Sequence, residues 1–91
     1  MLLAEVIGSD APAVEVTALA YDNRLVTPGT LFFCVPGFTR DGHEYADDAI
    51  ARGAVALVVQ RPLGTAVPEI LVEDVRAAMA PAAAALAGDP T

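Results

Sequence analysis

The sequence predicts one small α/β domain, a mostly parallel or mixed sheet with helices packed on it, and three observations carry that reading. Leu31-Phe32-Phe33-Cys34-Val35 and Ala54-Val55-Ala56-Leu57-Val58-Val59 are unbroken apolar runs of strand length. They lack the alternation of a half-exposed strand, as expected where both faces of a sheet are covered. Between them lies a stretch of helical pattern that stops at Gly53. Strand, helix and strand in this order make a βαβ unit, whose two strands run parallel.

The elements follow in order. Residues 2–8 form a short apolar stretch too brief to assign. Val14, Val16 and Leu19 begin a run rich in β-branched and apolar residues, a strand ending near Tyr21. Thr27-Pro28-Gly29-Thr30 is a turn: proline presets φ at its second position and glycine takes the positive φ that a type II turn requires at its third. The strand at 31–35 closes at Pro36-Gly37. Asp41 and Glu44 have capping-box spacing for a helix over about 43–52, with Ala46, Ala49 and Ile50 inward. After the strand at 54–59, Pro62-Leu63-Gly64 is a loop and Ile70-Leu71-Val72 a third short apolar strand. Asp74 stands where it caps a last helix, with Val75, Met79, Ala82 and Leu86 at helical spacing. Pro81 interrupts that pattern, so the helix either kinks there or ends and restarts.

Composition narrows the function. The chain has 91 residues, room for one domain, and a formal net charge of −7. All five basic residues are arginines: Arg24, Arg40, Arg52, Arg61 and Arg76. A nucleic-acid binder needs a basic face to neutralise phosphates, so nucleic acid is not expected as a partner. A small anionic ligand remains open, because one arginine and a few backbone N–H groups suffice for it. The single cysteine, Cys34, excludes an internal disulfide and suits a reducing compartment. Met1-Leu2-Leu3-Ala4-Glu5 lacks the positive start of a secretory signal, and no apolar run approaches the roughly 20 residues of a membrane span. The expectation is a cytoplasmic protein without a membrane partner.

No catalytic constellation and no metal-ligand spacing stands out, and a Walker motif is excluded because its lysine is missing. The chain alone is expected to be inactive as an enzyme. Two loops are richer than packing requires. Tyr21-Asp22-Asn23-Arg24 follows a strand; it reads either as an Asx-type turn with an Asp22–Arg24 surface pair, or as side chains facing a crevice at the strand's end. Gly37-Phe38-Thr39-Arg40-Asp41-Gly42-His43 joins a strand to a helix. Its glycines and Asp41 serve either the backbone and the cap, or an anion site of helix N–H groups beside Arg40. Cys34 reads as a small core residue, His43 as a structural residue at a helix end, and Tyr45 as core or boundary.

Taken together, Asp22-Asn23-Arg24, Pro28-Gly29-Thr30-Leu31-Phe32, Gly37, Asp41-Gly42-His43, Ala49 and Gly53-Ala54 resemble the N-terminal domain of the Mur ligases. That family's pattern is D-S-R-x-V-x-P-G-x-L-F, then G-x-x-x-D-G-H, then A-x-x-x-G-A. Within the family, Cys34-Val35-Pro36-Gly37-Phe38, residues 58–63 and residues 72–80 look most like the UDP-N-acetylmuramoyl-tripeptide synthetases.

The resemblance implies a UDP-sugar-binding N-terminal domain over residues 1–88 and the start of a linker over 89–91. The remaining enzyme would carry the ATP-binding machinery. It would use ATP and magnesium to activate the terminal carboxylate of UDP-N-acetylmuramoyl-L-alanyl-D-glutamate for attack by diaminopimelate or lysine, as a bacterial cytoplasmic ligase of peptidoglycan precursors. Position by position, Tyr21 and Asn23 match nucleotide-contacting residues, and Phe38, Thr39 and Arg40 match a segment contacting uridine and diphosphate. Asn23 departs from the family's usual serine. By this reading Arg40 and the N–H groups around Gly42 and His43 form the diphosphate-facing wall, opposite Tyr21 and Asn23. The alternatives are the sister ligase that adds D-alanyl-D-alanine, a free-standing nucleotide-binding module, and an interaction domain that binds no nucleotide.

Overall fold

Apolar residues without alternation force the chain into layers, and the computed structural model shows which. It describes Leu2, Leu3, Val6, residues 14–36 and residues 42–87, the side chains of Leu86 and Ala87 apart. Four strands, β1 (Ala18–Ala20), β2 (Thr30–Phe33), β3 (Ala54–Val59) and β4 (Glu69–Leu71), lie side by side in sequence order. All three neighbouring pairs are parallel. The expected α/β class with a mostly parallel sheet is what forms, with parallel pairing throughout.

β2 and β3 occupy the centre, so their side chains alternate between two cores. Leu31 and Phe33 pack with Val16, Val58, Val75 and Ala82 on one face, while Phe32 and Cys34 pack with Ala46, Ala49, Leu57 and Val59 on the other. One face is covered by helix α2 (Val75–Ala87), the other by helix α1 (Ala46–Ala51). The register slips between Thr30 and Leu31, which pair with Ala54 and Ala56. Val55 is the extra residue, so Val55 and Ala56 both serve the Leu31 face and regular alternation resumes at Leu57. Leu3 and Val6, from the unassigned start, are buried in the same core as Leu31.

The Thr27–Thr30 turn closes as expected: Thr30 N–H donates to the Thr27 carbonyl at 3.1 Å and Gly29 has φ +91. Gly29 N–H also donates to the Gly53 carbonyl at 3.0 Å, which ties the turn to the residue that ends α1.

Three expectations need adjustment. The stretch from 43 is not one helix, because a 3-10 turn over Gly42–Tyr45 precedes α1; Asp41, the expected cap, lies outside the described residues. Pro81 does not end the last helix, which runs through it to Ala87. Val75 and Ala82, fully buried on either side of it, hold the helix in register, so the bond that proline cannot donate is outweighed by packing. The third apolar strand begins one residue early, at Glu69. Asp74 does cap α2, accepting from Ala77 N–H at 3.2 Å.

Glu69 shows how a loop with little buried apolar content is held. Its Oε1 accepts from Leu63 N–H at 2.7 Å, and its Oε2 accepts from both the N–H and the hydroxyl of Thr65 at 2.6 Å. The Leu63 and Thr65 donors pull its pKa from the usual 4.5 down to about 2. A depressed carboxylate pKa contributes stability above the unfolded value and loses it as pH falls through the folded one. The 63–69 loop should therefore loosen between about pH 4.5 and pH 2, read as faster hydrogen exchange at Leu63 and Thr65. Glu69→Gln should be loose at every pH; an unchanged acid response in that variant would assign the effect to another group.

Candidate functional site

Parallel neighbours end at the same edge of a sheet, and crevices outside those carboxyl ends are where open α/β sheets bind ligands. Here β1 leads into Tyr21-Asp22-Asn23-Arg24, and β2 leads out through Val35 and Pro36. The chain comes back at Gly42, whose N–H donates to the Val35 carbonyl at 2.9 Å. A cleft of about 420 Å³ opens between these segments, lined by Tyr21, Asp22, Asn23, Arg24, Val35, Gly42 and Tyr45.

Local chemistry shapes its walls. Residues 23–25 form a 3-10 turn capped by Asp22, whose Oδ1 accepts from Arg24 N–H at 2.9 Å. The Arg24 guanidinium folds back onto the same carboxylate, Nε to Oδ1 at 3.1 Å and Nη2 to Oδ2 at 2.8 Å. That fork holds the Asp22 carboxyl down at about 2. The Asx turn and the crevice are therefore one object: the pair builds the wall, and Arg24 is occupied in doing so. Asn23 donates through Nδ2 to Asp48 Oδ2 of α1 at 2.6 Å. Of the two lining tyrosines, Tyr21 is 62% exposed and Tyr45 is half-buried.

Gly42 lines the cleft because nothing larger fits. A Cβ there would lie 2.6 Å from Val35 N and 2.9 Å from Val35 O. The same contact corrects one expectation. The Gly42 N–H, expected to face a diphosphate, is spent on Val35, because the returning chain closes against the strand exit. His43 is structural as expected: it is 5% exposed, and its Nε2 accepts from Gln60 N–H at 2.9 Å. Gln60 in turn accepts Val75 N–H through Oε1 at 2.9 Å, which joins the ends of β3 and α2. Cys34 is fully buried, a core residue.

Of the five residues singled out for binding, the structure brings Tyr21 and Asn23 together on this cleft; Phe38, Thr39 and Arg40 lie outside the described residues. A second cleft on the same edge, of about 270 Å³, is lined by Pro36, Gln60, Glu73, Asp74 and Arg76. It carries two carboxylates against one arginine, and Arg76 already donates to the Pro36 carbonyl at 2.7 Å. Asp48 escaped the sequence reading; its i,i+4 spacing to Arg52 was the available signal, and that pair closes at 2.7 Å. Among the described residues no three His, Cys, Asp or Glu side chains could share a metal ion, and no helix is long and apolar enough to cross a membrane.

A parallel four-stranded sheet with a helix on each face and a cleft at its carboxyl edge defines a small α/β unit. Residues 15–87 match the family model described as "Mur ligase family, catalytic domain". The chain belongs to the Mur ligase family. It is 56% identical over 77 residues to the UDP-N-acetylmuramoyl-L-alanyl-D-glutamate--2,6-diaminopimelate ligase of Geobacillus thermodenitrificans, covering 85% of this chain and 16% of that protein. The ligase of the same name from Listeria innocua is 44% identical over 84 residues, 92% of this chain and 17% of that protein. The chain thus spans about a sixth of the length of these relatives. Among solved structures, MurF from Acinetobacter baumannii superposes with a TM-score of 0.73 at 23% identity, over 87% of this chain and 18% of that one. The MurF ligase of Thermotoga maritima in complex with ADP gives a TM-score of 0.67 at 28% identity, over 75% and 16%. The fold expected from the sequence is that of the matching part of these ligases.

Proposed function

We propose that this chain is the UDP-sugar-binding domain, over residues 1–88, of a cytoplasmic ligase that adds an amino acid to UDP-N-acetylmuramoyl-L-alanyl-D-glutamate. The observation that carries the reading is the shared cleft: Tyr21 and Asn23 meet Val35 and Gly42, the two flanks of the Phe38–Arg40 segment, at one sheet edge. Arg24 is taken by Asp22. By its match to the family's diphosphate-contacting segment, Arg40 is the cation this reading assigns to the diphosphate, in a chain of net charge −7. Tyr21 offers a ring to the base, Phe38 a second apolar surface, and Asn23 and Thr39 hydrogen-bonding groups. The 85% coverage at 56% identity by a diaminopimelate ligase favours this branch over the ligase adding D-alanyl-D-alanine.

This chain's residues do not fit an ATP–magnesium site. It has no lysine, and its described residues hold no carboxylate cluster. ATP and magnesium belong, in this reading, to other parts of the ligase. The domain's contribution is to hold the UDP end, so that binding energy remote from the reacting carboxylate positions it. The isolated chain is expected to bind the UDP-sugar weakly and saturably, because few contacts must offset the cost of immobilising the ligand. In a ligand titration Arg40→Ala should weaken binding by about tenfold, the scale of a lost charge-assisted bond. Equal affinity in wild type and Arg40→Ala would remove Arg40 from the site.

A further inference from the structure

The Asn23 side chain has a polarity that its neighbour dictates. An ionised carboxylate only accepts hydrogen bonds, whereas a carboxamide donates from one end and accepts at the other. Asp48 Oδ2 lies 2.6 Å from Asn23, so the amide must turn Nδ2 toward α1, whichever way it would rotate alone. Asp48 is itself held, receiving Arg52 Nε at 2.7 Å on the same oxygen. Both donors lower its pKa, Asn23 first and Arg52 second, so it stays ionised at neutral pH. The carboxamide oxygen, Oδ1, is left as the acceptor that Asn23 can offer to the cleft it lines.

We propose that Asp48 is a positioning residue for ligand binding: through Asn23 it presents a fixed hydrogen-bond acceptor to an N–H or O–H donor of the nucleotide-sugar. The inference rests on the proposed UDP-sugar site and adds what that site demands at this point, a ligand donor. Asn23 and Asp48 lie 25 residues apart, on the 3-10 turn after β1 and on α1, so the pair also ties that wall of the cleft to the helix. Arg52 completes a relay from α1 to the cleft without touching the ligand itself.

Electrostatics and positioning predict opposite signs, which makes the idea testable. Removing a negative charge near an anionic ligand should tighten binding by Coulomb's law alone. Loss of the amide's orientation should weaken it. Titration of the chain with UDP-N-acetylmuramoyl-L-alanyl-D-glutamate, followed by amide chemical shifts, reads both. Asp48→Ala is expected to bind about three- to tenfold more weakly, with its thermal midpoint monitored separately. Asp48→Glu should recover part of the loss. In an Asn23→Ala background, Asp48→Ala should cause no further loss. An equal loss in both backgrounds would mean that Asp48 acts by supporting the fold and would overturn the proposal, as would tighter binding by Asp48→Ala. No saturable shifts in wild type would overturn the UDP-sugar reading and this inference together. Wild-type binding with an indifferent Asp48→Ala would overturn this inference alone.

Discussion

Gly42→Ala is expected to destabilise the protein by about 3 kcal/mol, at the upper end of what overpacking costs. The added Cβ would meet the backbone nitrogen, carbonyl oxygen and neighbouring carbon of the β2 exit, the nearest at 2.6 Å. None of these is the free end of a side chain that could swing away. The chain would have to lift off, breaking the 2.9 Å bond from Gly42 N–H to the Val35 carbonyl that closes the loop between them. Gly42 also lines the cleft, so the variant should lose ligand binding even at temperatures where it remains folded. Denaturant unfolding of both proteins reads the first effect and a ligand titration the second. A stability change below about 1 kcal/mol would show that the strand exit yields more readily than its geometry implies.

His43→Ala should cost a similar amount, about 3 kcal/mol, for a different reason. The imidazole is 5% exposed, and its Nε2 takes the Gln60 N–H where β3 ends. Truncation leaves a cavity where the 5% exposed ring sat and removes the acceptor of that donor. The damage should propagate, because the Gln60 side chain holds Val75 N–H at the start of α2. Hydrogen exchange should accelerate at Gln60 and Val75 together, beyond the shift in global stability. Acceleration confined to residues 42–45 would break that link.

How far the sequence could be read depended on whether local chemistry or distant contacts made the choice. β2 and β3 are legible because burial on both faces writes itself as an unbroken apolar run. The Thr27–Thr30 turn is legible because its proline and glycine each satisfy one dihedral, and Asp74 because a cap acts within three residues. The 3-10 turn at Gly42–Tyr45 is not, since it differs from an α-helix in bond pattern and not in composition. The Glu69 clamp follows from a loop folding back on itself, and the extra residue Val55 from strand register; neither has a local signature. In the site, the place of Tyr21–Arg24 after a strand left both a surface turn and a crevice open, and the family resemblance singled out Tyr21 and Asn23. The 2.6 Å bond from Asn23 to Asp48 needed α1 to dock, and no short motif announces it. The Gly42 N–H reads as a free helix donor until the returning chain is seen to spend it on Val35.

The proposed function requires one edge of the sheet to receive the nucleotide-sugar. Its most direct test is a map of the backbone amides that shift when UDP-N-acetylmuramoyl-L-alanyl-D-glutamate is titrated into the labelled protein. Saturable shifts should gather at Tyr21, Asn23, Arg24, Val35, Gly42 and Tyr45, around the 420 Å³ cleft. Thr17, Gly29 and Gly53, hydrogen-bonded together at the amino ends of the strands, should stay still. Shifts centred on that opposite edge, or none at saturating ligand, would contradict binding at the carboxyl edge.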